Sequence, residues 1–119
     1  FDVKVGVLLR LKGVDGSNMG IGQEAQAAAA LMAVNHIRNK NAVLVPDAAT
    51  RLHPDLNLTI HLADSLSNPA IGMAETLKWT NDGVSLIVGA SRSAVSGPVS
   101  LLASISQIPM LSYFSTSSE

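Results

Sequence analysis

An uninterrupted apolar run near the start of the chain constrains the fold more than any other feature. Val3 to Leu9 is rich in β-branched residues, and only Lys4 and Gly6 interrupt its hydrophobic character. A strand with one wet face would alternate polar and apolar residues, whereas a strand inside a parallel sheet is covered on both faces. The run therefore predicts a central strand of a parallel sheet with helices on both sides.

Helices and strands alternate after this first strand. Segment 23–38 is rich in alanine and contains neither glycine nor proline, which predicts a helix. Residues 39–55 include two prolines and are expected to form a surface loop. Leu56 to Ala63 alternates apolar and polar residues, which predicts an edge strand with one wet face. Further along, we expect a helix from 69 to about 80, a fully buried strand from 84 to 88, a helix from 93 to 106 and a strand from 109 to 113.

The order of these elements indicates the fold class. Strands joined by helices in right-handed crossovers form a doubly wound parallel α/β sheet. We expect the alternating strand at one edge and the first strand inside, and we expect the sheet to be incomplete within these 119 residues. Ser67 or Asn68 can cap the second helix, for which Pro69 suits the first position, and Asn81-Asp82-Gly83 is expected to end it.

The chain is more apolar than a self-contained domain of its size needs, with 47% hydrophobic and 14% charged residues. The first helix is apolar on nearly every side, so we expect it to be buried on more than one side. Part of the apolar surface is therefore expected to contact a partner or another part of the protein.

Charge and residue type argue against several functions. The 8 basic and 9 acidic residues are spread along the chain, which argues against nucleic acid or an anionic membrane as partner. The absence of cysteine excludes disulfides, a thiol nucleophile and cysteine metal sites. No serine-hydrolase elbow or phosphate loop with lysine occurs, and the histidines lack metal-ligand spacing. We therefore predict a protein that is not an enzyme and has no metal and no cofactor.

Hydroxyl-rich loops follow the third and fourth predicted strands. Ser91 to Ser93 and Ser115 to Ser117 would face one crevice, because parallel strands end at the same edge of a sheet, where such folds bind ligands. Ser91 or Ser93 could bind a carboxylate or phosphate together with the first amides of the helix, but from these residues alone a simple cap of that helix is the favoured interpretation. Arg92 could neutralise an anion or be solvated. Asp64 is expected to bind loop amides.

Taken together, these segments resemble the receptor-family ligand-binding region of the type I periplasmic-binding-protein fold. Bacterial amino-acid-binding proteins, class C G-protein-coupled receptors and natriuretic-peptide-type receptors share this region. The resemblance rests on Val5 to Leu9, Ala30 to Ile37 and Asp64-Ser65, and it is strongest at Ile87 to Ser93 and Ile108 to Ser117. It implies a flavodoxin-like strand order and a chain whose residues 1–119 are the opening part of a first lobe.

The resemblance also implies roles for individual residues. In amino-acid-binding members a serine at the start of the helix after the third strand holds the ligand carboxylate, and a threonine after the fourth strand contacts the ammonium group. These positions fall on Ser93 and Thr116, whose separation (116 minus 93) is 23 residues, as in the family. Ser115 would offer its backbone carbonyl, with Ser91 and Arg92 as secondary contacts. Arg92 departs from the family's small residue.

The function implied is a non-catalytic sensor or transport domain that binds a small amino-acid-like or anionic ligand. A second lobe would close on the ligand, and the domain would lie in an extracellular or periplasmic compartment as the ectodomain of a membrane protein. Asn57-Leu58-Thr59 is a possible glycosylation site. One alternative is a structural lobe that has lost the ligand and forms a homodimer or heterodimer through its helices. Another is a flavodoxin-like enzyme or phosphate-binding domain, which would require a cofactor at the first loop.

Overall fold

The computed structural model describes residues 2–12, 21–47 and 50–113. Strands and helices alternate through these residues. The elements are β1 Asp2–Leu9, α1 Ile21–Arg38, β2 Asn57–Asp64, α2 Pro69–Asp82, β3 Leu86–Val88, α3 Ser93–Ile105 and β4 Met110–Leu111.

All the described strands run parallel in one sheet, in the order β2-β1-β3-β4. β1 pairs with β2 along its whole length, from Asp2 opposite Asn57 to Leu9 opposite Asp64. β3 pairs with the second half of β1, and its other side pairs with β4. The doubly wound α/β class, the inner position of the first strand and the edge position of the alternating strand are confirmed.

The ends of α2 follow from local side-chain chemistry. Asn68 is the N-cap residue, and its side-chain oxygen accepts a hydrogen bond from the Ala70 amide at 2.9 Å. Pro69 begins the helix at the position where a missing N–H does no harm. Gly83 ends it with φ of 79°, in the left-handed region that a residue without Cβ adopts readily. The expected start of α2 is confirmed, whereas the helix continues to Asp82, two residues beyond the expected end near 80.

The hydrophobic core lies on one face of the sheet, between β1 and β3 on one side and α2 and α3 on the other. It comprises Leu8, Trp79, Val84, Ile87, Ala90, Val95, Val99 and Ala103. Successive side chains of a strand point to opposite faces. Val7 and Leu9 therefore face the other side, where they line a cavity together with Ala29 and Ala30 of α1. Helices thus flank both faces of β1, as its apolar run predicts.

The burial expected of α1 and β3 is wrong in two respects. α1 is not buried on more than one side, because Leu31 is 47% exposed and Met32 is 58% exposed. Only β1 and β2 pack extensively against this helix, and no described element covers its outer side. In β3 only Ile87 is fully buried. Its neighbours Leu86 and Val88 are half-buried.

Other boundaries shift by a few residues. β4 is shorter than the predicted segment 109–113, and β3 begins two residues after the predicted start at 84. The described residues between α1 and β2 form turns rather than helix or strand, as expected of a surface loop. Within the described part of the chain, none of the helices combines the length and apolar character that crossing a membrane requires.

Candidate functional site

The carboxyl ends of the parallel strands meet at one edge of the sheet. Leu9 at the end of β1 lies opposite Asp64, the last residue of β2. β3 continues this edge, since Val88 pairs with Val7 on one side and with Leu111 of β4 on the other. The loops that leave these strands are therefore neighbours. In open α/β sheets this is the edge that binds ligands.

Asp64 anchors two of these loops through their backbone amides. Its Oδ1 accepts hydrogen bonds from the amides of Leu11 at 3.1 Å and Leu66 at 2.9 Å. The amide of Ser65 donates to the carbonyl of Leu9 at 2.9 Å, which adds a third tie between the loops. The expected role of Asp64 in binding loop amides is confirmed.

Ser67 joins three loops at this edge. Arg10 Nε donates to Ser67 Oγ at 2.6 Å, and Arg92 Nη1 donates to the Ser67 carbonyl at 3.0 Å. Leu66 and Ser67 have φ of 51° and 56°, a left-handed conformation that costs a residue with a Cβ roughly 1–3 kcal/mol. The hydrogen bonds from the two arginines help to hold this unfavourable turn in place.

A tight turn leads from β3 into α3. Gly89 has φ of 154°, and a Cβ at this position would lie 2.7 Å from the Leu8 carbonyl oxygen, so only glycine fits. Ser96 fastens the turn from within the helix. Its buried Oγ accepts a hydrogen bond from the Ala90 amide and donates one to the Ala90 carbonyl, both at 3.1 Å. The turn thus fixes where α3 begins relative to β3.

The start of α3 combines a helix N-terminus with hydroxyl groups. Arg92 is the N-cap residue, and its side chain makes no capping hydrogen bond with the described residues. Neither Ser91 nor Ser93 therefore occupies the N-cap position, and Ser93 is the first residue of the helix. Ser91 is only 6% exposed, and its Oγ has no hydrogen-bond partner among the described residues. A buried unpaired hydroxyl costs about 1–3 kcal/mol, and the helix dipole favours an anion here.

Tyr113 follows β4 at the same edge. Its hydroxyl donates to the Leu8 carbonyl at 3.2 Å. Burial raises the pKa of Tyr113, and the adjacent Ser91 hydroxyl offsets part of the rise, although its geometry falls short of a hydrogen bond. The Tyr113 ring also lines a cavity of about 230 Å³ on the α1 side, into whose wall Gln26 brings a buried amide oxygen without a partner.

The structure brings part of the predicted site together. Ser91, Arg92 and Ser93 lie at the expected edge, beside the loop that follows β2. Ser115 and Thr116 lie outside the described residues, so their predicted contacts remain predictions. Asn57 is at the opposite end of β2, where it is exposed and its Nδ2 donates to Asp2 Oδ1 at 3.0 Å.

The positions of Arg10 and Ser67 at this edge were not predicted from the sequence. Arg10 is the first residue after β1, so the rule that pointed to the loops after the third and fourth strands applies to it equally. Ser67 was considered only as a cap for α2, a role that Asn68 takes. Among the residues described, no three His, Asp or Glu side chains come together as a metal site.

The comparisons with known proteins agree with this architecture. The family model described as receptor family ligand binding region matches residues 25–119. No curated protein sequence matches the chain. Among solved structures, the ABC transporter substrate-binding protein from Desulfitobacterium hafniense in complex with Leu has a TM-score of 0.72 and 19% identity, covering 99% of this chain and 30% of that one.

A second structure of a Desulfitobacterium hafniense ABC transporter substrate-binding protein gives a TM-score of 0.71 at 20% identity. The branched-chain amino acid transporter substrate-binding protein LivJ from Streptococcus pneumoniae, in complex with isoleucine, gives 0.64 at 19% identity. In both comparisons the match covers 99% of this chain and 30% of the other. At these identities the likeness shows the fold alone, which is part of a type I periplasmic-binding-protein fold. Because the family model spans most of the sequence, the chain belongs to the receptor family ligand-binding region.

Proposed function

We propose that residues 1–119 are part of the first lobe of a two-lobed, non-catalytic domain that binds a small amino-acid-like or anionic ligand. The ligand would lie at the carboxyl edge of the sheet, against the start of α3. A second lobe would close over it from outside the described residues, as hinged domains do around their ligands.

One observation carries this proposal most directly. The buried Ser91 hydroxyl makes no hydrogen bond within 3.5 Å with a described residue, although the Tyr113 hydroxyl is adjacent to it. It lies beside the N-terminus of α3, where the N-cap side chain makes no capping bond. A ligand anion at this position would interact with the positive end of the helix dipole and give the hydroxyl an acceptor. Buried polar groups are nearly always hydrogen-bonded, so an acceptor at this position would be favourable.

Different residues would bind different groups of the ligand. Ser93, in the first turn of α3, would donate its hydroxyl to a ligand carboxylate. Thr116 and the backbone carbonyl of Ser115 would contact an ammonium group, with Ser91 and Arg92 as secondary contacts. The solved structures bound to Leu and isoleucine support an amino-acid-like ligand, because their substrate-binding proteins share this fold.

We also propose an extracellular or periplasmic location, as the ectodomain of a membrane protein. The exposed position of Asn57 on the outer strand β2 would leave room for a glycan. Its Nδ2 is the atom that carries the sugar, and glycosylation would require its hydrogen bond with Asp2 to rearrange.

Single substitutions in the full-length protein test the proposal. Ser93→Ala and Thr116→Ala should each weaken binding of the amino acid found by calorimetric screening, by roughly tenfold for a lost hydrogen bond to a charged group. Ser100→Ala is the matched control, because its hydroxyl donates to the Gly97 carbonyl on the exposed side of α3. Unchanged affinity in both site variants would overturn the assignment, provided that circular dichroism shows all three proteins folded.

A second candidate is a dimerising lobe that has lost its ligand. The exposed Leu31 and Met32 favour it, because they lie together on the outer side of α1 with the exposed Ala25 and Ala28. A second copy of the chain, presenting the same apolar helix around a twofold axis, would cover this surface. Such a lobe would associate without responding to any amino acid.

A further inference from the structure

Two arginines from different loops converge on one residue at the carboxyl edge. Arg10 follows β1 and Arg92 precedes α3, yet Arg10 Nε reaches Ser67 Oγ at 2.6 Å and Arg92 Nη1 reaches the Ser67 carbonyl at 3.0 Å. Arg10 is half-buried and Arg92 is exposed. Two permanent positive charges therefore lie next to the start of α3, whose dipole has the same sign at this end.

No described carboxylate neutralises this pair. The ion pairs found in the described part of the chain are Arg51 with Asp47 and Lys78 with Glu75, away from this edge. The nearest candidate is Asp64, but its Oδ1 accepts two amide hydrogen bonds, and neither of its oxygens comes within 4.0 Å of a guanidinium nitrogen. Like charges held near one another without a counter-ion among the described residues repel, so an anion beside them would be bound favourably.

The chemistry of the guanidinium group indicates what such an anion would be. Each arginine has five N–H donors arranged in a planar fork, and Ser67 accepts only one from each in the hydrogen bonds described above. The remaining donors match the geometry of a carboxylate or a phosphate, which arginine commonly binds through two parallel hydrogen bonds. Ser67 would position both guanidinium groups.

We infer that Arg10 and Arg92 form a second anion subsite, so that the ligand carries a carboxylate or phosphate in addition to the group bound at the start of α3. This inference rests on the proposed function and narrows it to doubly anionic ligands. Because Arg92 directly precedes Ser93, the two subsites are adjacent, and a short dicarboxylic or phosphorylated amino acid would span them. A neutral ligand of the same shape would leave the arginine pair uncompensated.

A comparison of isosteric ligands tests the subsite in the full natural chain. L-glutamate and L-glutamine differ in the charge of one terminal group, so calorimetry should show glutamate binding at least about tenfold more tightly, as expected of a hydrogen bond to a charged group. Arg10→Gln and Arg92→Gln should each reduce this preference severalfold. Arg51→Gln is the control, because it removes the same charge from an exposed loop residue. Substituting L-phosphoserine for glutamate distinguishes a phosphate from a carboxylate.

The outcomes separate this inference from the function on which it rests. In one outcome, glutamate and glutamine bind equally, and Arg10→Gln and Arg92→Gln lower only the melting temperature. That result would show that the arginines only connect the loops, and it would overturn the subsite but not the proposed function. If no amino acid binds, glutarate supplies two carboxylates without an ammonium group. If glutarate raises the melting temperature and Arg10→Gln and Arg92→Gln abolish that rise, the subsite is supported and the amino-acid assignment is contradicted. If glutarate does not raise the melting temperature either, both the subsite and the proposed ligand-binding function are overturned.

Discussion

Tyr113 provides a direct probe of the ends of β1 and β4, because its hydroxyl donates to the Leu8 carbonyl and burial raises its pKa above the ordinary value of 10.0. As pH rises past that value, the unfolded chain releases the phenolic proton while the folded chain still retains it. The free energy of unfolding should therefore fall from the ordinary pKa up to the folded pKa.

The chain contains one tyrosine, so tyrosinate absorbance reports Tyr113 alone. We expect its titration midpoint to lie above 10.0 in the folded chain and to return to that value in denaturant. Tyr113→Phe should remove the corresponding part of the alkaline loss of stability, measured by denaturant unfolding on either side of the ordinary pKa. A normal midpoint in the folded chain would contradict the burial of the hydroxyl.

At the scale of single residues, sequence predicts what depends on neighbours along the chain. Asp64 was expected to bind loop amides because a carboxylate at the end of a strand adjoins such amides, and it does so. The contact of Arg10 with Ser67 could not be foreseen in this way. It joins residues 57 positions apart, and it depends on the register of β1 against β2 and on the left-handed turn at Ser67.

The packing of α2 against α3 depends on Gly72. A Cβ at this position would lie 2.8 Å from Val95 Cγ1 and 3.2 Å from Val99 Cγ2, both on fully buried side chains of α3. Gly72→Ala should therefore lower the free energy of unfolding by about 1–3 kcal/mol through overpacking, despite the better helix propensity of alanine. Fluorescence of Trp79, which is the only tryptophan and is 3% exposed, would follow urea unfolding.

Gly97→Ala is the matched control in α3, since a Cβ there would meet no atom within 4 Å. Alanine loses less backbone conformational entropy on folding than glycine does. This variant should therefore be as stable as the natural chain or more stable by up to about 1 kcal/mol. Two alanine variants of equal stability would show that α2 and α3 do not approach each other as closely as the structure describes.

The strands and helices themselves were predicted correctly because each has a local signal. β1 has its apolar run, α1 its alanine-rich segment, and α2 its cap and terminal glycine. The burial of α1 was not predictable in the same way. A helix that is apolar on every side needs partners on every side, but the sequence of this chain does not say whether those partners lie within it.

At the scale of the whole molecule, the alternation of elements and the handedness of their connections predicted a parallel sheet with β1 inside and β2 at one edge, while the full strand order was implied by the family resemblance. What they could not predict is which apolar surfaces stay uncovered. Leu31 and Met32 are exposed on α1, and Leu101 and Ile105 are 69% and 80% exposed on α3. These two surfaces lie on helices that flank opposite faces of the sheet, so a partner of one need not contact the other.

This separation allows the dimerising alternative to be tested. If α1 pairs with a second copy, Leu31→Asp with Met32→Asp should abolish association in sedimentation velocity, because each charge would be buried in an apolar interface. Leu101→Asp with Ile105→Asp places the same charges on α3 and should leave that association intact. The reverse pattern would assign self-association to α3 and contradict the α1 interface. If the protein is monomeric and neither pair affects the sedimentation coefficient, self-association through α1 is contradicted, and ligand binding is the one of the two proposed functions that remains.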